Sequence, residues 1–265
     1  MNTFAFLAKS ARHGPDTTAL LQGDEVVTYR EFHDRALAIG GNLLAAGCQP
    51  GDRVAFCLAN SPRIMELIFG CFAAGLVVVP VNARLHAREM AYIVGNSGAK
   101  ILVHGAEFQD GIQANIELFA GVTRYCTDAV DGAVDFSALV SVEHALTAAV
   151  DASPEDICWL FYTSGTTGKP KGAIWNHRMV RCVIMNYLAD LHNIQPGEVV
   201  FGAADGHRRH QFHQRDAGSG PHRVAERVAP ADNAVFGLHA REQHGHSPWP
   251  PGELRFGAAD FKRQI

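Results

Sequence analysis

Ile157-Cys158-Trp159-Leu160-Phe161-Tyr162-Thr163-Ser164-Gly165-Thr166-Thr167-Gly168-Lys169-Pro170-Lys171-Gly172 joins an apolar run to a loop of alternating hydroxyls and glycines that closes on two lysines. The first six residues have the pattern of a buried strand. The next ten serve another purpose. Glycine lets the backbone turn its N–H groups toward a ligand without a Cβ in the way, and such concave nests bind anions. Thr163, Ser164, Thr166 and Thr167 add hydroxyl donors, and Lys169 and Lys171 add positive charge. A polyphosphate is the ligand that matches all three properties.

The loop is not a Walker A motif. That motif places four residues between its first Gly and the Gly-Lys pair, then a Ser or Thr on magnesium. Here Gly165 and Gly168 are separated by Thr166 and Thr167 alone, and Pro170 stands where the hydroxyl would be. Proline also cannot continue a helix from that point. A polar surface turn is the plainer alternative, but it does not explain ten ordered residues placed directly after an apolar strand.

The run from Tyr162 to Gly172 resembles the phosphate-binding signature of the AMP-forming synthetase/ligase superfamily, which includes acyl- and aryl-CoA synthetases, luciferases and peptide-synthetase adenylation domains. The resemblance extends over about 4–204. In order, Thr28-Tyr29-Arg30-Glu31, Pro50-Gly51-Asp52-Arg53-Val54-Ala55, Asn60-Ser61-Pro62, the stretch from Ala74 to Asn82, and Ser97-Gly98-Ala99-Lys100 resemble the opening of that family's large domain.

Strand and helix patterns alternate through this region. Thr28 and Glu31 form a capping-box pair that opens a helix with Phe32, Ala36, Ile39 and Leu43 on one face, and Gly47 can end it. Pro50-Gly51-Asp52 turns into a strand over 54–58. Ser61-Pro62 supplies an N-cap and a first-turn proline, and Gly75 stops that helix. A strand over 76–81, a helix over 87–94 and a strand over 100–104 follow. The stretch 128–154 is weakly patterned and reads as a connector. After the loop come a short strand over 172–175, a helix capped by Asn176 and running to about 193, and a strand over 198–201. Unbroken apolar strands alternating with helices predict an α/β fold, a mostly parallel sheet layered between helices. Combined with the resemblance, this is the incomplete large domain of the adenylate-forming enzyme fold.

Beyond Ala204 the character changes. The last 61 residues carry seven of the fourteen histidines, eight arginines and one lysine, but only six residues from Ile, Leu, Val and Met. Such a segment buries too little apolar surface to offset its ordering entropy. Three accounts compete. His207, His210 and His213 could form a metal site on one helix side, with His244-Gly-His246 further on in the sequence, but no Cys or acidic ligand set accompanies them. The tail could be a disordered interaction segment. Or it is translated out of frame, which the genetic code permits. His codons read one base later specify Thr, Ile or Met, and Arg codons of the CGN type then specify Gly, Ala, Val, Asp or Glu. The tail would become the small and apolar residues that a globular domain needs. The expected organisation is therefore 1–204 as the N-terminal part of an AMP-binding domain and 205–265 as an atypical, unstructured or frameshifted tail.

A hydrophobic content of 47% supports a real core, and a net charge of −4 gives no electrostatic case for nucleic acid or an anionic membrane. Cys48, Cys57, Cys71, Cys126, Cys158 and Cys182 show no CxxC spacing, which suits thiols in a reducing cytoplasm. The apolar stretch near the N-terminus is too short for a signal peptide. The run between Glu66 and Pro80 falls below the roughly 18 residues of a membrane span.

The resemblance implies ATP-dependent carboxylate adenylation leading to an acyl-CoA thioester. ATP, Mg2+ and coenzyme A are the implied cofactor and co-substrates, and a small carboxylic acid is the other partner. It assigns the ATP phosphates to Thr163, Ser164, Gly165, Thr166, Thr167, Gly168, Lys169 and Lys171, with Lys171 as the main charge partner. His177 reads as a helix-start histidine and not a catalytic one. The family's adenine- and magnesium-binding motif, ribose-binding Asp and adenylation lysine are not found after Ala204, so no catalytic or metal-ligating residue is assigned. A truncated, inactive copy is expected. The alternative is a non-catalytic nucleotide- or metal-binding protein that uses the loop and the His-rich tail.

Overall fold

Residues 1–163 and 169–186 of the computed structural model are described here, together with two short strands at 200–201 and 235–236. The chain opens with α1 (Ala5–His13), then a hairpin of β1 (Thr18–Gln22) and β2 (Glu25–Thr28). Gly23 takes φ +56° at the first position of its two-residue turn, a conformation most side chains resist. Helix α2 (Tyr29–Ala45) starts on the expected capping box. Thr28 Oγ1 accepts from Glu31 N–H at 3.2 Å, and Glu31 Oε2 accepts from Thr28 N–H at 2.8 Å. Phe32, Ala36, Ile39 and Leu43 are all buried, as their spacing predicts.

Next come β3 (Arg53–Cys57), α3 (Pro62–Ala73), β4 (Val77–Pro80), α4 (Ala87–Ser97) and β5 (Ala99–His104). Pro62 occupies the first turn of α3, but the Ser61 side chain makes no capping bond. Helix α4 runs to Ser97, further than its apolar period suggests, until Gly98 stops it at φ +64°. His86 opens it with a capping box that includes Glu89, an arrangement the usual Ser/Thr signature misses. Then follow α5 (Gln109–Gln113), β6 (Thr123–Cys126), β7 (Val134–Asp135), α6 (Ser137–Val140), β8 (Ile157–Thr163), β9 (Lys171–Asn176) and α7 (His177–Asn186). The expected connector thus contains β7 and α6, elements too short to leave a period in the sequence.

Seven strands form one sheet in the order β7-β6-β5-β3-β4-β8-β9, parallel except for the β8–β9 hairpin. Alternation along each strand divides the core. Val54, Phe56, Val78, Ile101 and Val103 join the cluster with α2, α3 and α6. Ala55, Cys57, Val79 and Leu102 join the opposite cluster with α4 and α5. Both faces are covered, which is the expected α/β layering. Asn42 ties α2 to the segment around α6, its Nδ2 donating to Leu139 O at 3.0 Å and Ser141 O at 2.6 Å.

One expectation needs correction. The strand before the loop is only half buried, since Ile157 and Phe161 are 43% and 50% exposed and Cys158 alone is fully enclosed. Among the described residues its neighbour β9 is the edge of the sheet, and β4 meets β8 at the single register pair Val78↔Trp159. The predicted strand over 198–201 is present as β10 (Val200–Phe201), which pairs with β11 (Val235–Phe236), and β11 pairs with β1 through Leu20↔Phe236 and Leu21↔Val235. Main-chain pairing needs no side-chain period, so two residues suffice. The rest of 205–265, including His207, His210 and His213, lies outside the described residues, as does the predicted helix beyond Asn186.

Candidate active site: the phosphate-loop hairpin

The antiparallel register fixes the two roots of the loop. Tyr162 faces Gly172 and Thr163 faces Lys171, so the chain leaves β8 and re-enters β9 at adjacent points. Thr163, Lys169 and Lys171 are all solvent-exposed, where a ligand can reach them. Ser164, Gly165, Thr166, Thr167 and Gly168 lie outside the described residues.

The hairpin is anchored from both faces. Tyr162 Oη donates to Asn96 Oδ1 on α4 at 2.7 Å, and burial, aided by Tyr92, raises the phenol's proton affinity so that it stays a donor. Gly172 makes this possible, because a Cβ there would stand 3.1 Å from the Tyr162 ring. On the other face Trp159 and Trp175 pair across the strands and pack on the α2–α3 side of the core. The expected cap is present too, with Asn176 Oδ1 accepting from Met179 N–H at 2.8 Å. His177, the first residue of α7, is buried against Thr3 and Phe72, consistent with a structural role.

A second polar cluster was not legible in the sequence. His104 ends β5 with no exposed surface, its Nδ1 bonded to Gly105 O at 3.0 Å and its Nε2 unpartnered. Burial, then the nearby Arg124, keep its proton affinity below that of a free imidazole, although the Gly105 bond and Glu107 act in the other direction. Arg124 and Gln109 donate to the adjacent carbonyls of Gly132 at 2.6 Å and Asp131 at 2.8 Å. Arg124 stands in a four-residue strand and His104 closes an apolar one, so neither advertises a site. Two surface grooves, of about 530 and 720 Å3, lie beside β6–β7 and beside α1, away from the hairpin.

Among the described residues no group of His, Cys, Asp and Glu can hold a metal ion, and no helix is long and apolar enough to cross a membrane.

Comparison with known proteins bears on the family and the fold. A family model described as AMP-binding enzyme matches residues 7–207. Feruloyl-CoA synthase from an Amycolatopsis species is 36% identical over 183 residues, which are 69% of this chain and 35% of that protein. Long-chain-fatty-acid–CoA ligase FadD13 of Mycobacterium tuberculosis is 33% identical over 168 residues, 63% of this chain and 33% of that one. Among solved structures, the anthranilate CoA ligase AuaEII in complex with anthranoyl-AMP superposes with a TM-score of 0.70 at 24% identity, over 74% of this chain and 38% of that one. At that identity the likeness is one of fold. The inhibitor-bound N-terminal domain of FACL13 from M. tuberculosis gives 0.64 at 28% identity, over 74% and 49%. The chain spans about a third of the length of these curated relatives.

Proposed function

This chain belongs to the AMP-binding enzyme family, and on that footing we propose that its β8–β9 hairpin holds the phosphates of ATP for carboxylate adenylation. The observation that carries the assignment is the register that sets exposed Thr163 opposite exposed Lys171 at the mouth of the loop. In the reaction a carboxylate oxygen attacks the α-phosphorus, pyrophosphate leaves, and the thiol of coenzyme A takes the acyl group from the acyl-AMP. Thr163, Ser164, Thr166 and Thr167 offer hydroxyls, and Gly165 and Gly168 offer N–H groups. Lys171 neutralises charge on the departing pyrophosphate, with Lys169 as a second ammonium further out. Magnesium would arrive with the nucleotide.

We further propose that the chain is a truncated copy with no adenylation activity, located in the cytoplasm. The family match stops at residue 207, and the composition breaks at 205, which supports a boundary there. Residues that act as a unit fail together when part of the unit is missing. The ligase names of the relatives favour descent from a carboxylate-adenylating enzyme over a metal- or partner-binding role for the tail.

The test uses the purified 265-residue chain. Weak ATP binding, reduced by Thr166→Ala and by Lys171→Ala, is expected, with no carboxylate-dependent exchange of labelled pyrophosphate into ATP. Binding unaffected by either substitution overturns the phosphate assignment, and robust exchange overturns the truncation. The DNA beyond codon 204, read one base later, should encode a Thr-Glu motif. Early stop codons in that frame would sink the frameshift account.

A further inference from the structure

The first four residues are pinned by distant parts of the chain. The Met1 α-amino group donates to Ala152 O at 3.1 Å. Asn2 Nδ2 donates to Phe72 O at 2.6 Å and Val150 O at 3.1 Å, and its Oδ1 accepts from Phe4 N–H at 2.9 Å. Thr3 and His177, each 1% exposed, meet directly. His177 Nδ1 accepts the Thr3 N–H at 3.2 Å and stands 2.7 Å from Thr3 Oγ1, with the Phe72 ring edge-on at 5.7 Å.

This geometry fixes the protonation state. An Nδ1 that accepts a backbone N–H carries no hydrogen, so the ring is neutral with its proton on Nε2. A second proton can go only to Nδ1, where it faces the Thr3 N–H. The hydroxyl can rotate and accept from it. The amide cannot, so it is left buried and unpaired beside a new charge.

We propose that Thr3 and His177 form an acid-labile latch, which holds residues 1–4 on the root of the β8–β9 hairpin while the imidazole is neutral and releases them when it is protonated. The root is rigid because α7 begins at His177, with no residue between it and the end of β9 at Asn176. The latch rests on contacts of residues 1–4, 156 and 177, and stands whether or not the loop binds a nucleotide.

Surrounding charges act in both directions. Burial has the largest effect and disfavours the imidazolium, the Asp156 carboxylate favours it, and the Met1 α-amino group disfavours it. Asp156 is fixed by the Ser153 N–H, which it accepts at 2.8 Å. Arg178 is paired with Glu155 at 3.0 Å in solvent. Across the Phe4 ring on α2, His33 pairs with Asp34 at 2.9 Å. Phe72 on α3 adds no charge. Because the latched imidazole has the lower proton affinity, the open form takes up the proton first. Latch stability is therefore constant above the ordinary imidazole value of about 6.5 and falls as pH drops below it.

Amide hydrogen exchange on the full-length chain between pH 7.5 and 5 reads this directly. The protection factor of the Thr3 amide should hold steady above about pH 6.5 and drop toward tenfold per pH unit below it. His177→Asn puts a non-titrating acceptor oxygen near the Nδ1 position, and its profile should be flat. Asp156→Asn removes the carboxylate that favours the cation in the latched form, so the onset should stay near pH 6.5 and the acid loss at about pH 5 should be at least as large as the parent's. A flat parent profile, or an equal acid drop in His177→Asn, overturns the latch. So does a parallel loss at the core amide of Leu67, which marks global unfolding. Should His177→Asn fail to fold, Asp156→Asn decides, since a smaller acid loss than the parent's also overturns it.

Discussion

Replacing Arg35 by Met should expose how much a single buried carboxylate on α3 depends on its neighbour. Glu66 is 2% exposed, and its Oε1 accepts from Arg35 Nη1 on α2 at 2.9 Å. Burial raises the Glu66 carboxyl above the ordinary carboxylate value, while the Arg35 guanidinium holds it down. Losing one partner of a fully buried pair costs roughly 3–5 kcal/mol, whereas exposed pairs contribute about 0–1. The Arg35 side chain is 40% exposed, so water shares the work and a cost of about 2 kcal/mol at pH 7 is expected. With a urea slope of about 2 kcal/mol/M, the midpoint falls by about 1 M. The pH dependence carries the sign. A carboxyl whose folded value lies above its unfolded value stabilises the fold at low pH and loses that contribution as pH rises through the folded value. Removing Arg35 raises the folded value further, so the variant's deficit should shrink between pH 7 and pH 5. Glu66→Gln in the same background should recover part of the loss at pH 7. Urea titrations of parent, Arg35→Met and the double variant measure all three quantities. An Arg35→Met deficit that is equal at both pH values and unrelieved by Glu66→Gln refutes the reasoning.

Other outcomes follow from packing, capping and thiol burial. Gly70→Ala would bring a methyl group to 2.6 Å from Ile39 Cγ2 at the α2–α3 seam, and should cost about 1–3 kcal/mol by thermal unfolding. A loss below 0.5 kcal/mol would show that the seam yields. Thr28→Ala removes the oxygen that accepts the Glu31 N–H, and should cost about 1 kcal/mol in chemical denaturation. In native buffer Cys182 should react with an aromatic disulfide reagent well before the others. Burial pushes the Cys57 and Cys158 thiols up to about 12, so these two should react only as the protein unfolds. Early labelling of either would place it nearer solvent than its packing shows.

Much of the fold was legible because its signals are local. Thr28 with Glu31, Pro62, Gly75 and Asn176 each mark a boundary by chemistry that acts within four residues. The apolar strands β3, β4 and β5 announced burial on both faces. The β1–β2 hairpin was missed although Gly23-Asp24 is a turn signal, because its strands are only five and four residues long and flank no long apolar period. Cap recognition failed at His86, where imidazole stands in for a hydroxyl. The partial exposure of β8 was illegible, since it depends on which strand becomes the sheet edge, and that is decided by pairing and not by composition. At the candidate site the loop's residue types predict an anion, but the pairing of Thr163 with Lys171 follows from a hairpin register that no single residue encodes. His104 and Arg124 come together only through the parallel alignment of β5 with β6.

The docking of residues 1–4 has a consequence for how the chain is made. Asn2 and Thr3 rest on residues 72, 150 and 177, so the earliest part of the polypeptide to leave the ribosome is among the last to find its place. At a translation rate of roughly 5–20 residues per second, the N-terminal residues wait about 9–35 s for His177 to be synthesised. During that interval Phe4 can already meet His33 on α2, but the Thr3–His177 contact cannot form. Slow codons placed before codon 177 would prolong the time for which Thr3 lacks this partner.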